Sequence, residues 1–340
     1  MEHEDTKTQS FVSSLNRYLT FVSLCLCVQF QLWAQHTPIM PRPLKKGDKI
    51  AVISPSSSPT EKTVREGCDI LRQWGYEPVV GPNALKEYHG FAGTADERTA
   101  DLHWALTDST ISAIMCTRGG DGAVQLLTRI HLNDFRRQPK WLIGFSDITA
   151  LHSAMVQAGV MSIHGSMLHA ISAQDGTDSV SVMLHNILKG TLPTYYVAHN
   201  DFDQLGNAEG LLVGGNFSVL CGLAGSPYDC LMRREPLILF IEDTDEEMTK
   251  VDRMLHNLEV RGVLQRLKGI IVGHFTDYKR PKNDFEDMNE MLHSYLKELN
   301  IPVCYGFPVG HKRPNLPMIE GCRVRLVVND VGTSLTFLQK

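Results

Sequence analysis

The sequence predicts an α/β fold built on a parallel, doubly wound sheet, and three observations lead there. Short apolar runs, as at residues 49–54, 111–116 and 141–145, alternate with stretches of helical period. Gly, Ser, Pro and Asp punctuate the joints between them. The apolar runs also end at reactive side chains, where ligands collect outside the carboxyl ends of parallel strands. At 340 residues the chain is long enough for two domains with cores of their own.

The first 35 residues differ from the rest. Residues 18–28 are almost wholly apolar, follow Arg17, and lead to the small residue Ala34. This is the pattern of a signal peptide over residues 1–35, cleaved near Gln35, with export to the periplasm as the expectation. Against it, Glu2, Glu4 and Asp5 outweigh Lys7 ahead of the apolar run. A non-working leader would leave the protein cytoplasmic. The run is too short and interrupted for a membrane span.

A first domain is expected over residues 44–172. Residues 49–54 (KIAVIS) form a strand, followed by a Ser/Pro loop. Ser58 and Glu61 have capping-box spacing, with Pro59 at the first helical position. Val64, Cys68, Leu71 and Trp74 then share one helix face, and Gly75 ends it. A strand at residues 76–80, a second capping box at Thr94 and Glu97 with its helix, and a strand at residues 111–116 follow. Next come the loop T-R-G-G-D-G at residues 117–122 and a helix over residues 123–130.

Residues 141–145 read as a short buried strand. From Ile148 the period changes, since Ile148, Leu151, His152 and Met155 fall on one helix face. Ser146 therefore sits where a strand feeds a helix, the position of an exposed nucleophile beside helix N–H groups. The usual elbow is G-x-S-x-G, and its last position here is Ile148, so Ser146 and Asp147 could equally be plain helix caps.

Residues 173–208 hold few apolar runs and read as a linker. A second domain, residues 209–335, has strands at 236–241, 269–273 and 323–328 and helices at 248–258 and 284–299. Its first long strand stops at Glu242, the start of an acidic run that could also be a solvated helix start. His311 lies in a turn between Gly310 and Pro314.

Composition excludes several classes of function. The hydrophobic fraction of 43% and charged fraction of 21% are ordinary for a globular protein. The formal net charge is −5 and no basic patch is present, so nucleic-acid binding is not expected. The eight cysteines form no C-x-x-C pair or Cys/His cluster, so no metal site or cofactor is expected. Most of them lie in apolar stretches, as small buried hydrophobes do.

Five stretches in order, K-W-L-I-G-F-S-D-I-T, T-R-G-G-D-G, G-G-N-F-S-V-L, L-F-I-E-D-T-D-E and V-G-H-K-R-P-N, resemble the LD-carboxypeptidases of the S66 serine peptidases. That family includes murein tetrapeptide carboxypeptidase and the microcin C immunity peptidase, and the resemblance spans about residues 44–335. It implies an N-terminal amidotransferase-like α/β domain and a smaller C-terminal α/β domain. It implies Ser146 as nucleophile, Glu242 as orienting acid and His311 as base. The backbone N–H of Asp147, with that of Gly119 or Gly120, matches the oxyanion hole. Arg118 is a candidate anchor for the substrate carboxylate.

Two features depart from the family. Ser166 stands where the family's H-G-P-M motif has proline, and the stretch after His311 is spaced differently. The implied reaction is hydrolysis of the L,D bond to terminal D-alanine in a murein tetrapeptide. An aminoacyl-nucleotide amidase and an inactive muropeptide-binding relative are the alternatives. The expected partner is thus a murein peptide, with neither nucleic acid nor a membrane span after processing. A homodimer is compatible with the sequence.

Overall fold

Two sheets organise the chain, each grown from the apolar runs above. The computed structural model describes residues 38–281 and 285–338, so the expected signal peptide over residues 1–35 lies outside the described residues. The first sheet holds β1 (Lys49–Ile53), β2 (Glu77–Val80), β3 (Ile111–Cys116), β4 (Trp141–Gly144) and β5 (Ser162–His164), all parallel. Their spatial order is β2-β1-β3-β4-β5, so the winding reverses beside β1. Loops after β1, β3 and β4 therefore meet at the carboxyl edge, where an open α/β sheet takes its ligand.

The second sheet contains β6 (Thr194–Ala198), β7 (Gly206–Asn216), β8 (Leu237–Thr244), β9 (Leu267–Thr276) and β10 (Val303–Tyr305). β7 to β10 are parallel. β8 is buried from Leu237 to Asp243, which suits a near-continuous apolar run at the centre of a parallel sheet. After β11 (Met318–Glu320), β12 (Arg323–Asn329) and β13 (Gly332–Phe337) continue the second sheet antiparallel from β7, and β6 closes the edge.

Two local expectations need correction. The helix Glu61–Gln73 is capped by Thr60, whose hydroxyl accepts the Thr63 N–H at 3.1 Å, rather than by Ser58. Thr60 is an equally competent cap and lies next to the helix, which leaves Ser58 in the loop. The Thr94 and Glu97 capping box forms in both directions.

Residues 173–208 are more than a linker. They carry the helix Ser179–Leu188 and the strand β6. Val180, Leu184, Ile187 and Leu188 are buried at helical spacing, the mark of a helix packed along one face. β6 alternates exposed and buried residues as an edge strand does.

β11 is a strand that the sequence analysis did not assign. This strand pairs antiparallel with β5 and so returns the C-terminal part of the chain to the first sheet. One apolar core joins the two sheets, with Ile143 and Ile163 from the first and Leu212, Phe240 and Leu326 from the second. Each such side chain contributes roughly 1.5–3 kcal/mol by leaving water. The relative placement of the two carboxyl edges is held by that shared burial. The six described cysteines are all free.

Candidate active site

Ser146 occupies the turn between β4 and the helix Thr149–Ala158. Its φ is +63°, a left-handed conformation that a non-glycine residue adopts at a cost of about 1–3 kcal/mol. The surrounding contacts over-determine that geometry. The carboxylate of Asp147 accepts the Ser56 hydroxyl at 2.6 Å and the Ala123 N–H at 2.8 Å. The Thr149 hydroxyl accepts the Asn216 N–H at 3.0 Å. The turn is thereby tied to the loops after β1 and β3 and to the second sheet. Burial pushes the Asp147 carboxyl up, opposed by the bonds from Ser56 and Ala123.

The two candidate oxyanion glycines separate in space. A side chain on Gly119 would lie 3.1 Å from Ser146 Cβ and 3.3 Å from its Oγ, so the bare backbone packs directly against the serine. Gly120 faces Ser57 instead. Gly119 is therefore the glycine whose backbone borders the reaction position, with Asp147 following the serine in the chain.

His311 reaches the serine from the loop after β10. Its Nε2 lies 3.0 Å from Ser146 Oγ, and its Nδ1 lies 2.7 Å from Glu242 Oε2. With Nδ1–H donating to the carboxylate, Nε2 is left free to accept the serine proton. Gly310 has φ +118°, and a side chain there would stand 2.8 Å from Glu242 Oε2. Its N–H donates to Asn315 Oδ1 at 2.9 Å, which braces the loop from its far end.

Glu242 is wholly buried at the end of β8, so the acidic run is no solvated helix start at this point. Burial pushes its carboxyl up, while the contact with His311 pulls it back. Burial lowers the His311 pKa, but the Glu242 bond and charge outweigh it and hold the imidazole above its ordinary value. The neighbouring Asp243 turns away, accepting from Asn216 Nδ2 at 2.7 Å and from the Ser218 N–H at 2.8 Å.

Sequence reasoning missed the supports. Ser56 lay in a plain Ser/Pro loop with no signal, whereas Asn216 and Asn315 stood inside quoted motifs without a role. His164 was also overlooked. Its buried ring packs 5.7 Å from Phe145 and 5.1 Å from Phe240, behind the site, and burial drives its pKa well below the usual imidazole range.

These groups open on a cavity of about 670 Å³. Arg118 lines it with an exposed guanidinium that bonds no described residue, so it caps no carbonyl there. Among the described residues no group of three or more His, Cys, Asp or Glu could hold a metal ion. No described helix is long and apolar enough to cross a membrane.

The LD-carboxypeptidase N-terminal domain model matches residues 50–165, and the C-terminal domain model matches residues 209–326. The chain belongs to the LD-carboxypeptidase family. This LD-carboxypeptidase homologue is 35% identical over 292 residues to a Bacillus subtilis (strain 168) protein named "Probable murein peptide carboxypeptidase", covering 84% of this chain and 91% of that one. It is 29% identical over 293 residues to the murein tetrapeptide carboxypeptidase of Pseudomonas aeruginosa, covering 82% and 94%. The crystal structure of muramoyltetrapeptide carboxypeptidase from Oxalobacter formigenes superposes with a TM-score of 0.78 at 26% identity, covering 86% of this chain and 99% of that one. The fold class is thus the two-domain α/β architecture of the family, and the protein is a peptidase.

Proposed function

We propose that the protein is a serine carboxypeptidase that removes terminal D-alanine from murein tetrapeptides by cutting the L,D-peptide bond. The observation that carries this reading is the unbroken chain Ser146–His311–Glu242, at 3.0 and 2.7 Å, anchored on a buried carboxylate. A serine hydroxyl needs such a base, and the base needs an orienting acid.

In the first step Ser146 Oγ attacks the carbonyl carbon on the L-residue while its proton passes to His311 Nε2. The N–H groups of Asp147 and Gly119 receive the developing oxyanion, each worth on the order of 3 kcal/mol when well aimed. His311 then gives the proton to the leaving amine, the C–N bond breaks, and D-alanine departs. Water repeats the sequence on the acyl-enzyme: its proton goes to His311, its oxygen bonds the carbonyl carbon, and Ser146 recovers the proton as the ester breaks. Glu242 stays ionised throughout and stabilises the imidazolium. Arg118 is the group that holds the terminal carboxylate.

The amidase alternative is supported less. A nucleobase seeks an aromatic face, and Phe145 is the one Phe, Tyr or Trp among the described residues lining the cavity. Its ring already packs against His164 and His311. An inactive binding role has no support in a site whose three side chains are mutually hydrogen-bonded. Residues 1–35 complete the proposal as a signal peptide, placing the mature enzyme where murein is. The test is D-alanine release from a murein tetrapeptide by purified protein; its absence, with cleavage of an aminoacyl-nucleotide conjugate instead, would favour the amidase.

A further inference from the structure

Behind the oxyanion loop lies a buried cation that no catalytic step uses. Arg98 stands at the fourth position of the helix Ala95–Thr107 and is only 2% exposed. A charge at that depth is costly unless its N–H groups are satisfied, and four neutral oxygens surround it. Nη1 donates to Pro55 O at 2.6 Å and to Gly122 O at 2.9 Å. Nη2 donates to Gln125 Oε1 at 2.5 Å, and Nε to Gly93 O at 3.3 Å. The Phe91 ring covers the guanidinium, 5.0 Å from Cζ. Burial pulls the Arg98 pKa below its ordinary value, and the Asp147 charge opposes that. None of the four oxygens belongs to the helix that carries Arg98, so the side chain is no cap of that helix. It ties together the loops after β1 and β3.

Two of those oxygens stand next to the supports of the nucleophile turn. Pro55 precedes Ser56 and Gly122 precedes Ala123, and Ser56 and Ala123 are the two donors to the Asp147 carboxylate. Arg98 thus holds both arms of the clamp on Asp147, one residue removed on each side. The Gly122 contact also closes the loop that carries Gly119. The other end of that loop is fixed by Thr117, whose N–H donates to Ile53 O at 2.9 Å and whose hydroxyl meets Ser54 Oγ at 2.7 Å. Gly122 has φ +109°, and a side chain there would stand 2.7 Å from Arg98 Nη1, so loop and guanidinium pack without slack. A planar guanidinium also fixes the direction of its acceptors, which an ammonium does not. We propose that Arg98 is the positioning residue of the oxyanion hole. By holding the Pro55 and Gly122 carbonyls it sets where the N–H groups of Asp147 and Gly119 point, from outside the cavity wall. This inference rests on the carboxypeptidase reading above and adds the part that pre-organises its transition state.

The experiment compares wild type with Arg98→Gln, which loses charge and fork, and Arg98→Lys, which keeps the charge and loses the fork. Lys140→Gln is the structural control. Lys140 is also a buried cation on carbonyls, its Nζ donating to Ala105 O and Asp108 O at 2.7 and 2.6 Å, but at the other end of the same helix. For each protein Tm is recorded, with kcat and KM for D-alanine release from a murein tetrapeptide. The inhibition constant of a tripeptide aldehyde, the acyl part of the substrate, is measured alongside. The aldehyde reports on the hole: Ser146 Oγ adds to its carbonyl carbon, the serine proton passes to His311, and the carbonyl oxygen becomes the oxyanion. Arg98→Lys should lower kcat by about ten- to a hundredfold while KM stays within about threefold. Its aldehyde inhibition constant should rise by the factor by which kcat/KM falls, as for a contact made only in the transition state. Lys140→Gln should lower Tm and leave kcat and aldehyde binding unchanged. If Arg98→Gln does not fold, Arg98→Lys decides alone. A folded Arg98→Lys with wild-type kcat, one that loses kcat but keeps aldehyde affinity, or equal losses in Lys140→Gln overturns the assignment. Such results in an active wild type sink this inference alone. A wild type that neither releases D-alanine nor binds the aldehyde sinks the carboxypeptidase reading with it.

Discussion

Glu242, fully buried at the end of β8, holds Nδ1 of His311 at 2.7 Å from a loop 69 residues further along the chain. The contact fixes the imidazole's orientation and raises its proton affinity together. Glu242→Gln should therefore do two separable things. Turnover should fall by about a thousandfold or more, because the wrong tautomer is stabilised. The acid limb of kcat/KM should also move to lower pH: the base acts when neutral, activity rises as pH passes the His311 pKa, and the carboxylate is what lifts that pKa. A pH–rate profile with an unshifted acid limb would remove Glu242 from the site.

Gly119 tests the oxyanion loop. A methyl group there would press on Ser146 at 3.1 Å, tighter than ordinary contact. Gly119→Ala should lower kcat by about ten- to a hundredfold while the fold survives, since small displacements of a nucleophile are costly. Gly222→Ala is the matched control, because a side chain there meets nothing within 4 Å. Equal activity in the two variants would show that the loop tolerates displacement.

Much of this was legible in the sequence for a physical reason. Ser146 stands where a short apolar run gives way to a helical period, Glu242 stands where an apolar run stops, and His311 lies in a turn between Gly310 and Pro314. The Thr94 and Glu97 capping box follows local chemistry and needed no tertiary information. Long-range partners were not legible. Ser56 meets Asp147 across 91 residues, and β11 leaves the C-terminal stretch to pair with β5. The helix Ser179–Leu188 did carry a signal, Val180, Leu184, Ile187 and Leu188 at helical spacing, inside a stretch read only as a linker. The choice of Thr60 over Ser58 as cap depended on where the chain leaves the loop after β1.

Glu320 supplies a stability prediction outside the site. It lies on β11, wholly buried, and burial raises its pKa well above the carboxylate range against the opposing pull of the Gly214 N–H. A carboxyl whose folded pKa is raised contributes fully below its unfolded pKa of about 4.3, and that contribution is lost as pH rises. Glu320→Gln has no such loss. Its Tm should exceed wild type by on the order of a few degrees at pH 8 and match it near pH 4. Parallel Tm–pH curves for the two proteins would refute this.

The leader is tested by sequencing the mature chain. Expressed in a bacterium with residues 1–35 in place, the protein should begin near Gln35 and fractionate outside the cytoplasm if the proposed signal peptide works. An intact residue 1 on cytoplasmic protein would put the activity in murein recycling inside the cell.

The account's central claim is that Ser146 is the nucleophile of an L,D-carboxypeptidase. The most direct measurement follows D-alanine released from a murein tetrapeptide by wild type and by Ser146→Ala, with the Tm of each recorded. Wild type should release D-alanine stoichiometrically with tripeptide. Ser146→Ala should lose at least about a thousandfold in kcat while its Tm stays unchanged, because only a hydroxyl facing the cavity is removed. A folded Ser146→Ala protein that keeps a tenth of wild-type activity would contradict the claim.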